Sequence, residues 1–234
     1  MLCRVIAVRG AVDNFYHLIF CVGKKMNTKE YYKKSYYGIK SACISTVDIS
    51  LLTPHIKTIA LDVGCGQGLL VKKLVEKGYR VEGCDLFDGV TKFGENFFVH
   101  NMEKEPTQKK YDFIYTTHVL EHIFDYISFL RNVWESLNED GLFFVAVPNA
   151  YSLLSRLRFL FGDERITMGN GELCCVENNK LEPHIRFLGF KTLKLILEEN
   201  GFKVKEFYGT HNGKKHWLNR FAGQLNFLCE KTGN

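Results

Sequence analysis

From residue 58 onward, short apolar runs alternate with segments whose apolar residues recur at helical spacing. A buried strand needs four to eight apolar residues in a row, and a surface helix needs one apolar stripe. Thr58–Val63 reads as a first strand, and the helix after it points Leu70, Val71, Leu74 and Val75 inward and Lys72, Lys73 and Lys77 outward. Gly78 ends that helix. Arg80–Asp85, Phe97–His100 and Tyr111–Thr116 follow as strands. A second helix, capped by Asp125 and stopped at Gly141, carries Ile127, Leu130, Val133, Trp134 and Leu137 on its stripe. Leu142–Val147 is a continuous apolar strand of the kind found in the middle of a parallel sheet. A third helix, Thr192–Asn200, turns Leu193, Ile196 and Leu197 inward and stops at Gly201; Lys203–Tyr208 and Gln224–Cys229 supply two more strands. The pattern predicts an α/β fold in which a mostly parallel seven-stranded sheet carries helices on both faces. Residues 58–234 form that domain and 150–182 break its rhythm as an insertion. Residues 1–57 are a basic extension with covering helices at Tyr31–Ala42 and Ile49–His55.

Charge divides the chain in the same way. The net charge is +5, and residues 1–48 supply all of it, with eight basic side chains against Asp13, Glu30 and Asp48. The body is neutral, which argues against a nucleic-acid partner, whose phosphates call for a basic patch at the site. The eight cysteines form no C-x-x-C pair, and adjacent Cys174 and Cys175 lack the spacing of a zinc site. A reduced, cytosolic protein is expected. The apolar run at 14–23 is interrupted by His17 and has no cleavage pattern, so it is not read as a signal peptide. Met26 opens a polar segment that resembles an ordinary N-terminus, which makes residues 1–25 an extension or an unused upstream start.

The chemistry concentrates after the first strand. In Leu61-Asp62-Val63-Gly64-Cys65-Gly66-Gln67-Gly68, glycines at every second position let a strand turn steeply into a helix while its backbone approaches a ligand. The spacing is G-x-G-x-G and not the G-x-G-x-x-G of dinucleotide sites. Asp62 would repel a diphosphate at this turn and attract a ligand with a positive centre. Asp85, at the end of the next strand beside Gly83, can accept the hydroxyl protons of a ribose. One acid for a cationic tail and one for a ribose fit S-adenosylmethionine better than NAD.

These residues resemble those of the class I S-adenosylmethionine-dependent methyltransferases, in particular the small-molecule branch that includes the ubiquinone-pathway O-methyltransferases. Leu61–Gly68 is similar to the family's nucleotide loop and Gly83-Cys84-Asp85 to its ribose-binding acid. YDFIYTTHVLEHI at 111–123 and GLFFVAVPN at 141–149 resemble the motifs of its fourth and fifth strands. His184-Ile185-Arg186-Phe187, with Gly201-Phe202 further on, resembles the segment introducing the last helix and strand. The resemblance implies a Rossmann-like fold that binds S-adenosylmethionine through Asp62, Gly64, Cys65, Gly66, Gly68, Asp85, Leu86, Asn101, Met102 and His118. Asn101-Met102 stand where the family often has an aspartate for the adenine amino group, and the Asn101 amide oxygen can take that role.

His118-Val119-Leu120-Glu121-His122 also spells the H-x-x-E-H of some zinc peptidases. It starts at a strand end and has no well-marked third ligand, so a zinc peptidase is not expected and no metal ligand is assigned; for a catechol-like acceptor, help from a divalent metal stays an open alternative. His122 and His184 are the candidate catalytic groups, since an imidazole can take a hydroxyl proton near neutral pH. The expected acceptor is a small molecule (apolar, phenolic or carbohydrate) attacked at a hydroxyl oxygen; a noncatalytic binding protein on the same fold is the alternative. Residues 151–161, YSLLSRLRFLF, carry a broad apolar stripe edged by Arg156 and Arg158. That stripe suits either a cap over an apolar pocket or a peripheral membrane contact.

Overall fold

The computed structural model describes residues 47–86, 96–162, 184, 186–211, 213–215 and 219–233. Among these, eight strands form one sheet: β1 (Ala60–Val63), β2 (Val81–Asp85), β3 (Phe97–Val99), β4 (Tyr111–Thr117), β5 (Leu137–Pro148), β6 (Phe202–His211), β7 (Lys214–Lys215) and β8 (Gln224–Lys231). Their order is β3-β2-β1-β4-β5-β8-β6-β7. β1 to β5 pair in parallel, whereas β8 runs antiparallel to both β5 and β6, and β7 antiparallel to β6. The sheet is therefore mixed and eight-stranded, not a seven-stranded and mostly parallel one. Among the described residues, the link from β6 to β8 holds β7 and a 3-10 turn at Asn219–Phe221. A link this short leaves no room for the dozen or more residues of a helical crossover, so the returning strand is antiparallel.

Side chains alternate across the sheet and build two apolar layers. Leu61, Val63, Ile114, Phe143, Val145 and Phe227 face one side. There they meet α2 (Tyr126–Ser136) and α4 (Phe190–Glu199) through Phe129, Leu130, Val133, Leu193 and Leu197. Ala60, Phe113, Tyr115, Phe144 and Ala146 face the other, packed with Leu70, Val71 and Leu74 of α1 (Leu69–Glu76) and with Val47 and Leu52. The Asp112 carboxylate accepts from the backbone of Thr58 and Ile59 at 2.6 and 2.9 Å and from the Asn138 amide at 3.0 Å, locking the start of β4 to β1 and β5.

Three sequence expectations shift. Ile49–His55 is not one helix but two 3-10 turns, Ile49–Leu51 and Thr53–His55, the second with Pro54 in its first turn. The proline ring, without an N–H, blocks continuation of an α-helix through the segment. The second helix ends at Ser136 and β5 begins at Leu137, so Gly141 stops no helix. It lies where residues 138–141 leave the β4–β5 register, and a Cβ there would stand 2.8 Å from the Asn138 carbonyl oxygen. Ile127, assigned to the buried stripe, is 56% exposed. The stripe instead includes Asn132 and Ser136, polar residues that an apolar pattern misses. The Asn132 amide donates to the Met102 carbonyl at 2.7 Å, and Ser136 Oγ accepts from Thr107 N at 2.9 Å while donating to Asn132 O at 2.7 Å. These bonds fasten the 102–107 loop to α2. The expected helix at 31–42 and most of the basic arm lie outside the described residues. The insertion contributes α3 (Leu153–Leu160), and 163–183 also lie outside them.

Removing the Asn132 amide strands a buried carbonyl, which costs about 1–3 kcal/mol. Asn132→Ala is therefore expected to lower the unfolding free energy by about that amount in urea denaturation, and Ile127→Ala by no more than about 0.5 kcal/mol.

Candidate active site

The parallel order brings the C-terminal ends of β1, β2, β4 and β5 to one edge, where ligands of open α/β sheets bind. Directly after β1 the chain turns through Gly64, Gly66 and Gly68, all left-handed with φ of 75°, 51° and 68°. Two backbone donors, Gly64 N and Cys65 N, share the Cys84 carbonyl of β2 at 2.8 and 3.1 Å. Gly68 caps α1. A Cβ on Gly64 would collide with a Val119 methyl, whereas a Cβ on Gly66 would meet nothing within 4 Å. Gly64 thus serves close packing and Gly66 leaves an open face.

Asp85 ends β2 and reaches back to this turn. Its Oδ2 accepts from Gly66 N at 2.9 Å and its Oδ1 from Leu86 N at 2.7 Å. Asp62 lies inside β1, 2% exposed, opposite Tyr115 of β4. Its buried Oδ1 has no hydrogen-bond donor among the described residues. Burial pushes its carboxyl up to about 8; the neighbouring Tyr115 phenol opposes that shift and Asp85 adds to it. A buried carboxyl whose Oδ1 lacks a donor among the described residues, next to an open glycine face, suits a ligand that brings a cationic N–H donor, whose charge favours the ionised carboxylate, and no phosphate. The same two acids and the same open face fit the amino-acid tail and ribose of S-adenosylmethionine. Cys65, second in the turn, sets its Sγ against Gly83, and burial pushes its thiol far up, so it packs and does not react.

Of the other expected cofactor residues, Leu86 donates its N–H to Asp85 and Met102 is buried under α2. The Asn101 amide oxygen accepts from Glu103 N at 3.0 Å, capping the turn after β3. The oxygen expected to meet an adenine amino group is thus engaged locally.

Beyond β4 the backbone of His118 is itself left-handed, φ 56°, with its N–H bound to the Ala146 carbonyl at 2.9 Å. Such a conformation at a non-glycine residue stores strain of about 1–3 kcal/mol and directs the side chain. The ring reaches across β5 to Gln224 of β8, with Nε2 3.0 Å from Oε1. Its Nδ1 lies 3.6 Å from Glu121 Oε1, and His122 Nε2 lies 3.9 Å from the same oxygen. Glu121 is 2% exposed, and among the described residues no donor lies within ordinary hydrogen-bond distance of its carboxylate oxygens, His118 Nδ1 at 3.6 Å coming nearest. Burial pushes its carboxyl up, but His118, His122 and His184 together outweigh burial and hold it below the usual range. The His184 ring meets His122 edge-on, centroids 4.8 Å apart. Arg186 straps this segment down: its N–H donates to Glu121 O at 3.2 Å, its Nη2 to Phe124 O at 2.7 Å, and its guanidinium covers the Tyr126 ring.

The structure brings the His122 and His184 rings together, edge to face. It places the His118 ring with Gln224 and Glu121. The ligand atoms of Glu121, His122 and His184 lie within 4.8 Å of one another, a set that could hold a divalent cation. The sequence reading expected no such cluster, because His184 is far from the 118–122 motif along the chain. Tyr115, Val119, Arg186 and Gln224 were not foreseen as site residues either. For Tyr115 and Gln224 the available signal was a polar group inside a buried strand.

Residues 54–206 match the family described as a methyltransferase domain. The human mitochondrial ubiquinone biosynthesis O-methyltransferase is 27% identical over 176 residues, covering 67% of this chain and 46% of that protein. The ubiquinone biosynthesis O-methyltransferase of Rickettsia canadensis is 23% identical, covering 69% and 71%. The chain spans about half the length of its mammalian relatives. Among solved structures, an S-adenosylmethionine-dependent methyltransferase of Clostridium acetobutylicum superposes with a TM-score of 0.59 at 14% identity, covering 87% of this chain and 97% of that one. One from Archaeoglobus fulgidus superposes at 0.56 and 19%, covering 86% and 98%. With the glycine turn, its two acids and the strand order as described, the chain belongs to the methyltransferase-domain family and has the Rossmann-like fold of S-adenosylmethionine-dependent methyltransferases.

Proposed function

We propose that this protein transfers a methyl group from S-adenosylmethionine to a hydroxyl oxygen of a small-molecule acceptor. The observation that carries this reading is the Asp85 carboxylate bonded to Gly66 N beside Asp62, whose buried Oδ1 has no donor among the described residues, one strand away from the imidazole–carboxylate cluster after β4. S-adenosylmethionine, when bound, supplies an electrophilic methyl group on a sulfonium. The chain's own residues do the rest. Asp62 takes the cationic end, Asp85 the ribose hydroxyls, and the glycine turn allows the backbone to approach. His122 and His184 stand where an acceptor's hydroxyl proton can be held or removed, and alignment in a dry site supplies several kcal/mol of barrier lowering. The names of the human and rickettsial relatives favour oxygen as the acceptor atom and a phenolic quinone precursor as its class. For a catechol-like acceptor, a divalent cation on Glu121, His122 and His184 would lower the hydroxyl's pKa.

Helix α3 supports a second surface role. None of its residues is buried; Phe159, Leu160 and the following Phe161 are 68%, 75% and 82% exposed. Arg156 and Arg158 edge that face. The combination favours peripheral contact with an anionic membrane that would deliver an apolar-tailed acceptor.

Calorimetry should detect saturable S-adenosylmethionine binding, weakened by about 1.5–3 kcal/mol in Asp85→Ala, the loss of a charge-assisted hydrogen bond. Release of S-adenosylhomocysteine with phenols, quinone precursors or sugars, with and without a chelator, identifies the acceptor and any cation. An unchanged dissociation constant in Asp85→Ala sinks the assignment. Binding without turnover on any acceptor selects the noncatalytic alternative.

The Asp62 shift fixes a sign. With its carboxyl near 8, Asp62 is largely protonated below that pH and must release its proton to meet a cation. Affinity for S-adenosylmethionine should therefore rise between pH 6 and 7.5, by up to about tenfold per unit, and Asp62→Asn should flatten the slope. Co-sedimentation should show wild type bound to phosphatidylglycerol vesicles and the Arg156→Ala/Arg158→Ala variant released. Failure of wild type to bind removes the membrane contact.

A further inference from the structure

Tyr115 and Asp62 are paired directly across β4 and β1, so their side chains leave the sheet on the same face. Tyr115 is fully buried there and Asp62 is 2% exposed. The layer around them is apolar, built by Leu70, Val71 and Leu74 of α1 and by Phe144 and Ala146 of β5. Phe113, two residues before Tyr115 on β4, fills the same layer without a hydroxyl. Packing therefore asks for a ring at 115 and not for its oxygen, and a buried hydroxyl without a partner is costly. No ordinary hydrogen bond reaches the Tyr115 hydroxyl or Asp62 Oδ1 among the described residues. Each nonetheless acts on the other's titration as a side-chain hydrogen-bonding partner. The two groups are neighbours that have not closed on each other.

We propose that Tyr115 is a positioning residue for the cofactor: its O–H closes on the Asp62 carboxylate when the ammonium of the amino-acid tail arrives, and holds that acid charged and aimed. This rests on the reading above in which Asp62 takes the cationic end of S-adenosylmethionine. A protonated Asp62 offers the phenol a weak acceptor, whereas an ionised one accepts a charge-assisted bond roughly twice as strong. In a site sealed from water, that bond replaces part of the hydration the carboxylate has lost. The other titratable groups near Asp62 do not supply it. Asp85, at the end of β2, repels the charge. Cys65 turns its thiol to the Gly66 carbonyl, and burial keeps both it and Cys84 of β2 neutral. Tyr208 of β6 and His55 lie against Phe144 and Phe113. Burial also pushes the Tyr115 phenol well up, so it keeps the proton it donates.

The test is calorimetry on the full chain with two ligands. S-adenosylhomocysteine keeps the ammonium, and 5′-methylthioadenosine keeps the adenosine but lacks the tail. Tyr115→Phe leaves the ring and its contact with Phe113 in place. Losing a bond to the charged form pushes Asp62 further up from about 8, so a smaller fraction of it is ionised at pH 7. S-adenosylhomocysteine should therefore bind the variant about tenfold more weakly at pH 7 and about twofold more weakly at pH 9, as Asp62 ionises in both proteins. The ligand's own ammonium titrates alike against both and cancels in the ratio. Wild type and variant should bind 5′-methylthioadenosine equally, and Tyr115→Phe should change nothing on top of Asp62→Asn. An equal loss for both ligands marks a packing role and overturns the proposal, as does a loss that does not shrink with pH, or no loss. If wild type and Asp62→Asn bind S-adenosylhomocysteine alike, the cationic-end reading has failed and the proposal with it. If they differ while Tyr115→Phe matches wild type, the role of Tyr115 alone falls.

Discussion

One carboxylate ties the cofactor end of the molecule together. Asp85, the last residue of β2, accepts the Gly66 N–H of the turn that leaves β1, while the Cys84 carbonyl before it accepts from Gly64 and Cys65. Two adjacent strand ends and a left-handed turn are thereby held as one piece, and a Cβ on Gly64 has no room because Val119 already occupies the space. The open face at Gly66 and the Asp62 oxygen that has no donor among the described residues follow from that arrangement. The turn cannot relax toward either group without giving up bonds to β2. A site that keeps a buried acid short of a donor stores a preference for a cationic ligand.

The second half of the site depends on strand direction. Because β8 runs antiparallel between β5 and β6, its first residue, Gln224, stands opposite Pro148 at the end of β5 where the parallel strands also finish. The left-handed His118 turns its ring across that end to meet it. Arg186 lays a later segment over the turn after β4 and brings the His184 ring against His122. The glycine turn and the imidazole cluster are then neighbours, joined by a few residues after β4: Val119 packs on the turn, and Glu121 and His122 enter the cluster.

Much of the fold was legible along the chain. The strand at Tyr111–Thr116 and the apolar run at Leu142–Val147 sit where their hydrophobic residues placed them, as does the helix after the glycine turn. Periodicity works there because buried strands and one-sided helices leave unambiguous patterns. It failed on Ile127 because Asn132 and Ser136, polar by type, hold the buried phase of α2 through hydrogen bonds that no hydropathy pattern encodes. It failed on strand direction because a run of apolar residues reads alike in parallel and antiparallel neighbours.

Local chemistry determined the turn, its two acids and the motif carrying His122, since each lies within a short stretch whose spacing limits what its side chains can meet. Only the tertiary structure decided which distant groups complete them. Gln224 reaches His118 from 106 residues away, and His184 joins a cluster whose other members end at His122. The sheet's strand order, set by burial of whole faces and by the short link before β8, brings these groups within reach, and spacing along the chain carries no record of it.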